Sequence, residues 1–315
     1  MNQKRKQAIE ANELSEIAEL PLGGFPQKIL IDGRRKENPI LICLHGGPGT
    51  PIPFSVGCRG LFPEITERFT LVCWDQLGCG INNRPIGDEF RISDFVTMTR
   101  DLIRAIRERF PENRLILFGV SWGSILALEA AELADGVITY GQILHDIPFN
   151  EPVFRALENA KMPKKKREEF ERIKNAPSVD NSRRLMGFLQ KYTEGYSAKT
   201  AEKSPMGEMI LGLLQSPDYR FRDFKAIVIN GYQKNRSLLE ELFRIDLRER
   251  LSAVSVPYTI VQGETDLVTP TEMIAEFLKS CENEKLRFVT VPRSGHIPGG
   301  KAMDVLIEEA ARLTV

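Results

Sequence analysis

Histidine is scarce in this chain, with only three among 315 residues: His45, His145 and His296. A metal site built from several histidine ligands would use nearly all of them, so the sequence does not favour one. Histidine is also the side chain that most often acts as a general base near neutral pH. Any such base in this protein must therefore be one of these three residues.

Cysteine occurs five times, an odd number scattered along the chain, which argues against a disulfide framework. Cys43 and Cys73 lie within apolar runs, so we expect buried free thiols there. The first 20 residues contain no apolar segment of the kind found in secretory signals. No stretch approaches the roughly 18 apolar residues that a membrane-spanning helix requires. We therefore predict a soluble, cytoplasmic protein without a membrane partner.

Neither sign of charge is in excess, because 43 basic and 43 acidic side chains give a formal net charge of zero. This balance argues against nucleic acid or an anionic membrane as the main partner, although a balanced total can hide an uneven distribution. The distribution is uneven, since residues 148–243 contain 18 basic and 13 acidic side chains. That segment carries a charge of +5 and the rest of the chain −5.

Short apolar runs followed by glycine-rich turns recur along the chain. Runs that are apolar without alternation are typical of strands buried on both faces of a parallel sheet. Amphipathic helices separate them, one starting near Ser93 and another with Thr269 as its N-cap and Pro270 as its first residue. The pattern predicts an α/β protein with a mostly parallel central sheet flanked by helices. The predicted strands are 39–44, 69–73, 114–120, 257–262 and 286–291.

The alternation of strands and helices stops at about residue 148 and resumes at Pro257. Residues 148–243 contain charged helical stretches, several prolines and few strand-like runs. A helical insertion within one α/β domain explains this better than two consecutive domains. We therefore predict a core formed by residues 1–147 and 244–315, with a helical cap formed by residues 148–243.

The sequence Gly119-Val-Ser121-Trp-Gly123 fits the G-x-S-x-G pattern. It follows a predicted strand and opens a predicted helix, the setting of a nucleophile elbow. Glycines two residues on either side allow the strand and the helix to pass closely. The pattern indicates Ser121 as a nucleophile, and an ordinary glycine-flanked turn is the alternative.

A serine nucleophile needs a base, and the base needs an orienting carboxylate. His296 follows the last predicted strand and Asp266 follows the one before it. The order Ser121, Asp266, His296 is that of α/β-hydrolases. His145, which has Asp146 beside it, is the rival base, and we favour a pocket-lining or structural role for it.

The sequence His45-Gly46-Gly47-Pro48-Gly49 follows the first strong strand. Glycines there allow backbone amides to approach a reacting carbonyl. We predict an oxyanion hole formed by the amides of Trp122 and Gly47, with Gly46 as the alternative to Gly47. The side chain of His45 is expected to hold this loop rather than to abstract protons.

Five motifs in order resemble one known family: HGGPG, WDQLGCG, GVSWGS, GETD and SGH. They are similar to the proline iminopeptidases, which are α/β-hydrolases with a helical cap, over about residues 25–147 and 245–315. The resemblance implies an α/β-hydrolase fold, a Ser121–His296–Asp266 triad and a covalent acyl-enzyme. It also implies removal of an N-terminal residue, often proline, from short peptides, without a metal or organic cofactor.

The chain departs from this family in two places. The family's DQRGxGxS loop reads DQLGCGIN here, with Leu77 for arginine and Asn82 for serine. The cap signatures whose glutamates bind the substrate's free amine are not found between residues 148 and 243. Glu240 and Glu241 could supply a carboxylate, and a solvated helix face is the alternative. These departures weaken the prediction of proline specificity.

Three interpretations of function follow. The first is a proline-iminopeptidase-like aminopeptidase that acts on short peptides. The second is an esterase or other acyl hydrolase for an uncharged small molecule, and the third is a non-catalytic binding module. We predict no nucleic-acid partner, and the sequence indicates no oligomeric state. The candidate substrate-pocket residues are His45, His145, Glu240 and Glu241.

Overall fold

The computed structural model describes residues 3–198 and 206–314 of the chain. Its strands form one eight-stranded sheet with the order β1-β2-β4-β3-β5-β6-β7-β8. The strands are β1 (Leu14–Leu22), β2 (Phe25–Gly33), β3 (Ile40–Leu44), β4 (Thr70–Trp74), β5 (Leu115–Val120), β6 (Gly136–Tyr140), β7 (Tyr258–Gly263) and β8 (Leu286–Val291).

Six of the strands, β3 to β8, run parallel, while β1 and β2 add an antiparallel edge. This arrangement confirms the predicted α/β architecture with a mostly parallel sheet. The five strands predicted from apolar runs all form, with ends within one residue of those expected. Strands β1, β2 and β6 are not among these five. Strand β1 has no continuous apolar run in its partly exposed sequence LSEIAELPL.

Helices cover both faces of the sheet. In the described residues they are α1 (Gln3–Ala11), α2 (Pro63–Thr66), α3 (Ile92–Arg109), α4 (Trp122–Glu129), α5 (Glu151–Asn159), α6 (Lys164–Lys174), α7 (Val179–Tyr192), α8 (Met206–Leu214), α9 (Phe221–Val228), α10 (Arg236–Phe243), α11 (Arg248–Ser252), α12 (Thr271–Lys279) and α13 (Gly300–Arg312). Throughout these ranges, no helix is both long enough and apolar enough to cross a membrane.

The two faces of the sheet bury separate hydrophobic clusters, because successive strand residues point to opposite sides. On β3, Ile42 and Leu44 pack in the cluster that contains residues of α3 and α4. Leu41 and Cys43 pack in the other cluster, which contains residues of α13. Cys43 and Cys73 are buried free thiols, as predicted.

The chain between β6 and β7 is helical in its described parts and holds α5 to α11. Helices α5, α6 and α7 enclose a hydrophobic cluster of their own, centred on Leu157, Phe170 and Leu189. These helices are the insertion that the break in the sequence pattern indicates. The division into a core of residues 1–147 and 244–315 and a cap of residues 148–243 stays a prediction.

Helix α12 begins one residue later than the sequence indicates. Its N-cap residue is Pro270 and its first residue is Thr271, so the assignment of Thr269 as N-cap and Pro270 as first residue was wrong. The side-chain hydroxyl of Thr269 is engaged elsewhere, since it donates a hydrogen bond to Asp266.

A close approach between α4 and the end of β3 gives a test of the fold. A Cβ atom at Gly123 would lie 1.9 Å from the Leu44 carbonyl oxygen. We expect Gly123→Ala to destabilise the protein by about 3 kcal/mol or more, because a backbone carbonyl cannot move aside as a flexible side chain can. Thermal unfolding should show a midpoint lowered by roughly 5 to 10 °C.

The matched control is Gly187→Ala, at an exposed position in α7 where a Cβ would meet no atom within 4 Å. That change should raise stability by about 0.5 to 1 kcal/mol, since alanine favours helix over glycine. Equal midpoints for the two variants would contradict the close approach.

Candidate active site

Ser121 lies at a sharp turn between β5 and α4, and its backbone has φ 52° and ψ −116°. A left-handed φ is uncommon for a residue other than glycine. Cβ atoms added at Gly119 or Gly123 would clash with backbone atoms at 2.6 Å or less. The two glycines therefore permit the turn that holds Ser121 at the end of the strand.

A chain of hydrogen bonds connects the three residues predicted to act together. Ser121 Oγ lies 3.1 Å from His296 Nε2, and His296 Nδ1 lies 2.9 Å from Asp266 Oδ2. A carboxylate accepts the proton of Nδ1, which leaves Nε2 as the acceptor for the serine hydroxyl. Asp266 is buried and His296 is nearly so. The arrangement can take a proton from the serine while holding the imidazole in one tautomer.

The carboxylate of Asp266 is fixed by more than the histidine. Its Oδ1 accepts hydrogen bonds from the amides of Val268 and Thr269, and its Oδ2 also accepts one from the Thr269 hydroxyl. The loop that carries His296 is held from the sheet, because the Tyr140 hydroxyl donates to the carbonyl of Gly295. The orientation of the imidazole is therefore set by buried groups on several elements.

The glycine-rich loop after β3 lies beside Ser121, and Gly46 and Gly47 line the same cavity as the serine. The His45 ring is buried beneath this loop, where Nδ1 donates to the Gly46 carbonyl. Its Nε2 accepts a hydrogen bond from the amide of Gln76. Burial lowers the pKa of His45 to about 4, so the ring is neutral near pH 7. His45 holds the loop and does not face the cavity.

Gln76, which the sequence did not single out, joins both halves of the site. Its Oε1 accepts a hydrogen bond from Trp122 Nε1 at 2.7 Å, and its Nε2 donates to the His45 carbonyl at 3.2 Å. Gln76 is fully buried. It therefore connects the turn at Ser121 to the glycine-rich loop. The only sequence signal was its place in WDQLGCG, directly after β4.

Two chambers meet at Ser121 and Gly47. The larger, of about 320 Å³, is mainly apolar and includes Phe54, Phe118, Met209 and Met303 in its wall. The smaller, of about 220 Å³, is lined by side chains of the inserted helices, including Leu239, Leu242 and Phe243, together with Arg183. In the described part of the chain, no Asp or Glu side chain lines either chamber.

The other predicted pocket residues lie away from these chambers. His145 Nδ1 is 2.8 Å from an oxygen of Asp146, and neither residue lines a chamber. Glu240 pairs with Arg236 on its own helix. Glu241 accepts a hydrogen bond from the amide of Ile92 and lies 3.6 Å from Arg91. The two glutamates are thus engaged on α10 and at the start of α3, which explains why they do not turn towards Ser121.

Asp75, beside Gln76, is fully buried and connects this loop to the inserted helices. Its carboxylate accepts hydrogen bonds from the amides of Val56 and Ile81 and from the Tyr219 hydroxyl. Burial raises the pKa of Asp75 to about 6, and these hydrogen bonds oppose the shift. Across residues 3–198 and 206–314, no group of His, Cys, Asp and Glu side chains is placed to hold a metal ion.

Curated proteins and solved structures are similar to this chain. The probable aminopeptidase YbaC of Bacillus subtilis (strain 168) is 27% identical over 92% of this chain and 93% of its own. Proline iminopeptidase of Lactobacillus crispatus (strain ST1) is 36% identical over 35% of this chain and 36% of its own.

A solved structure, that of a proline iminopeptidase-related protein from Thermus thermophilus, superposes with a TM-score of 0.62 at 20% identity, covering 96% of this chain and 98% of that one. The α/β hydrolase fold family matches residues 39–299, most of the chain. With its peptidase-named relatives, the match identifies a hydrolase enzyme, and the chain belongs to the α/β hydrolase fold family.

Proposed function

We propose that the protein is a serine hydrolase in which Ser121 is the nucleophile, His296 the general base and Asp266 the orienting carboxylate. The observation that carries this proposal is the hydrogen-bond chain from Ser121 Oγ through His296 to the buried Asp266. A serine at a strained turn, with a correctly oriented base, is the arrangement that nucleophilic catalysis requires.

The reaction follows from these positions. His296 Nε2 takes the proton as Ser121 Oγ attacks a carbonyl carbon, and Asp266 stabilises the imidazolium that forms. The amides of Trp122 and Gly47, or of Gly46 in place of Gly47, bind the oxyanion. The imidazolium then gives its proton to the leaving group, and an acyl-enzyme remains. Water, activated by the same histidine, releases the acyl group.

The chambers favour a substrate whose acyl portion is apolar and uncharged, which is the second of the sequence-based interpretations. Among the described residues that line them, the one side chain that always carries a charge is the cation Arg183. A substrate ammonium group would lose its hydration there without gaining a described carboxylate partner. An ester or amide of a small apolar acyl group avoids that cost.

An aminopeptidase of the proline iminopeptidase type is the second candidate. The name of the B. subtilis relative supports it, since that protein matches over most of both chains. We also propose that residues 148–243 act as a cap, because α7 and α10 contribute Arg183 and Leu242 to the smaller chamber. Differences within this segment would then select between the two candidates.

Removing the nucleophile tests the mechanism. We expect Ser121→Ala to lower kcat by roughly four to six orders of magnitude and to abolish labelling by a fluorophosphonate. His296→Gln should cause a similarly deep loss of kcat, whereas His145→Gln is the matched control and should keep most of the activity. Near-normal turnover by Ser121→Ala, in protein of unchanged circular dichroism, would exclude the proposed mechanism.

Gln76→Met tests the connection between the two halves of the site. The variant loses both hydrogen bonds at similar volume, so the amides that bind the oxyanion should be held less well. One oxyanion donor contributes about 3 kcal/mol of transition-state stabilisation. We therefore expect kcat to fall roughly 10- to 100-fold with little change in KM.

The control for Gln76→Met is Gln27→Met. Gln27 is equally buried and also joins a tryptophan, Trp74, to a backbone carbonyl, that of Leu22. It does not line either chamber. Both variants should lose stability, but only Gln76→Met should lose kcat. Equal kcat losses would assign Gln76 a purely structural role.

A panel of three substrates separates the two candidate reactions. The substrates are proline 4-nitroanilide, its N-acetylated form and a short-chain nitrophenyl ester. Since no described carboxylate lines the chambers, we expect the ester to be the best substrate and blocking of the amine not to lower kcat/KM. A large loss of kcat/KM on acetylation would instead identify an aminopeptidase.

A further inference from the structure

The large hydrophobic side chains that stand exposed in the described parts of the chain all lie between residues 210 and 229. We call this region the 210–229 surface. The exposed fraction reaches 77% for Phe221, 54% for Leu211 and 59% for Ile229. Exposed apolar side chains scattered singly are ordinary, whereas a cluster of them marks an interaction site. The members are Ile210, Leu211, Leu214, Phe221, Val228 and Ile229.

The two helices that carry this surface are each packed on the protein by another face. Helix α8 buries Leu213, and α9 buries Ile227, both in the hydrophobic cluster on one side of the sheet. The helices also contact each other. The 210–229 surface is therefore the outer face of two helices whose inner faces pack against the rest of the protein.

The charges that surround the exposed apolar residues are basic. Arg220, Arg222 and Lys225 have exposed side chains. The two acids of this segment whose side chains are described are engaged, because Asp218 forms an ion pair with Arg59. Asp223 is nearly buried, accepts a hydrogen bond from the amide of Arg220 and forms an ion pair with Arg222 at 3.5 Å. The exposed side chains of Arg220 and Lys225 thus present positive charge outward beside the apolar groups.

We propose that the 210–229 surface docks on an anionic lipid surface. Exposed apolar side chains entering the boundary between headgroups and acyl chains, with arginine and lysine beside them on lipid phosphates, are the pattern of an interfacial helix. A second copy of the chain fits less well, since a two-fold contact would bring the same basic groups together. This proposal departs from the prediction of no membrane partner. That prediction rested on the zero net charge of the chain and on the absence of an apolar stretch long enough to span a membrane.

The position of the surface connects it with the larger chamber. Met209, on α8, lines that chamber, while Leu211 and Leu214 of the same helix face outward. In the docked protein, α8 would therefore separate the lipid from the apolar chamber beside Ser121. Docking itself does not depend on the catalytic proposal, so the two can be tested separately.

The test is flotation of the full-length protein with vesicles of phosphatidylcholine, with and without phosphatidylglycerol, in the absence of substrate. We expect binding to the anionic vesicles that weakens as salt is raised. Phe221→Ser combined with Ile229→Ser should weaken binding by about tenfold or more, because the inserted apolar area is lost. Circular dichroism and hydrolysis of a soluble ester should be unchanged in this variant.

A charge variant with a matched control completes the experiment. Arg220→Gln with Lys225→Gln should weaken binding by about tenfold or more. Lys164→Gln with Lys165→Gln removes the same charge from exposed positions on α6 and should leave binding unchanged. Failure to bind either vesicle, or equal effects of the two charge variants, would overturn the proposal. Self-association that Phe221→Ser abolishes would do so as well, and would identify a second copy as the occupant.

Discussion

The site depends on one close approach, the passage of α4 beside the end of β3. The Leu44 carbonyl lies where a side chain at position 123 would begin, so only glycine allows the helix to start there. This approach brings the start of α4 beside the glycine-rich loop, directly after Ser121 with its φ of 52°. The proposed nucleophile and the proposed oxyanion amides can meet only because the backbone of two elements comes this close.

Buried polar groups in the loop after β4 maintain that geometry. The residues after β4 supply Gln76, which connects Trp122 to His45, and Asp75, which reaches Tyr219 of the inserted segment. An unpaired polar group at this depth would cost considerable free energy, so each of these bonds limits how the loops can move. The structure therefore links the turn at Ser121, the glycine-rich loop and the inserted helices through one short loop.

Sequence patterns were informative where the determinants are local. Apolar runs identified five parallel strands. Position at a strand end and order along the chain then identified Ser121, Asp266 and His296, which the structure brings within hydrogen-bonding distance. The pattern could not show that Gln76 contacts Trp122, because that contact joins residues 46 apart. Nor could the pattern show that Glu241 contacts the N-terminus of α3. The sequence of a helix is the same whether its glutamate faces a cavity or another helix.

The same distinction explains why substrate selectivity is harder to infer than chemistry. The proposed reacting groups stand at strand ends fixed by the sheet, whereas the smaller chamber is lined in part by inserted helices whose packing no local motif encodes. Recognition of a free amine requires a desolvated carboxylate that points at the substrate. Desolvation of that carboxylate costs free energy, which only its attraction to the bound ammonium group offsets. The described chamber walls instead offer apolar surface and the guanidinium of Arg183. A hydrolase fold like that of the aminopeptidase-named relatives is therefore compatible with a different acyl group, because in our proposal the core carries out the reaction and the insertion selects the substrate.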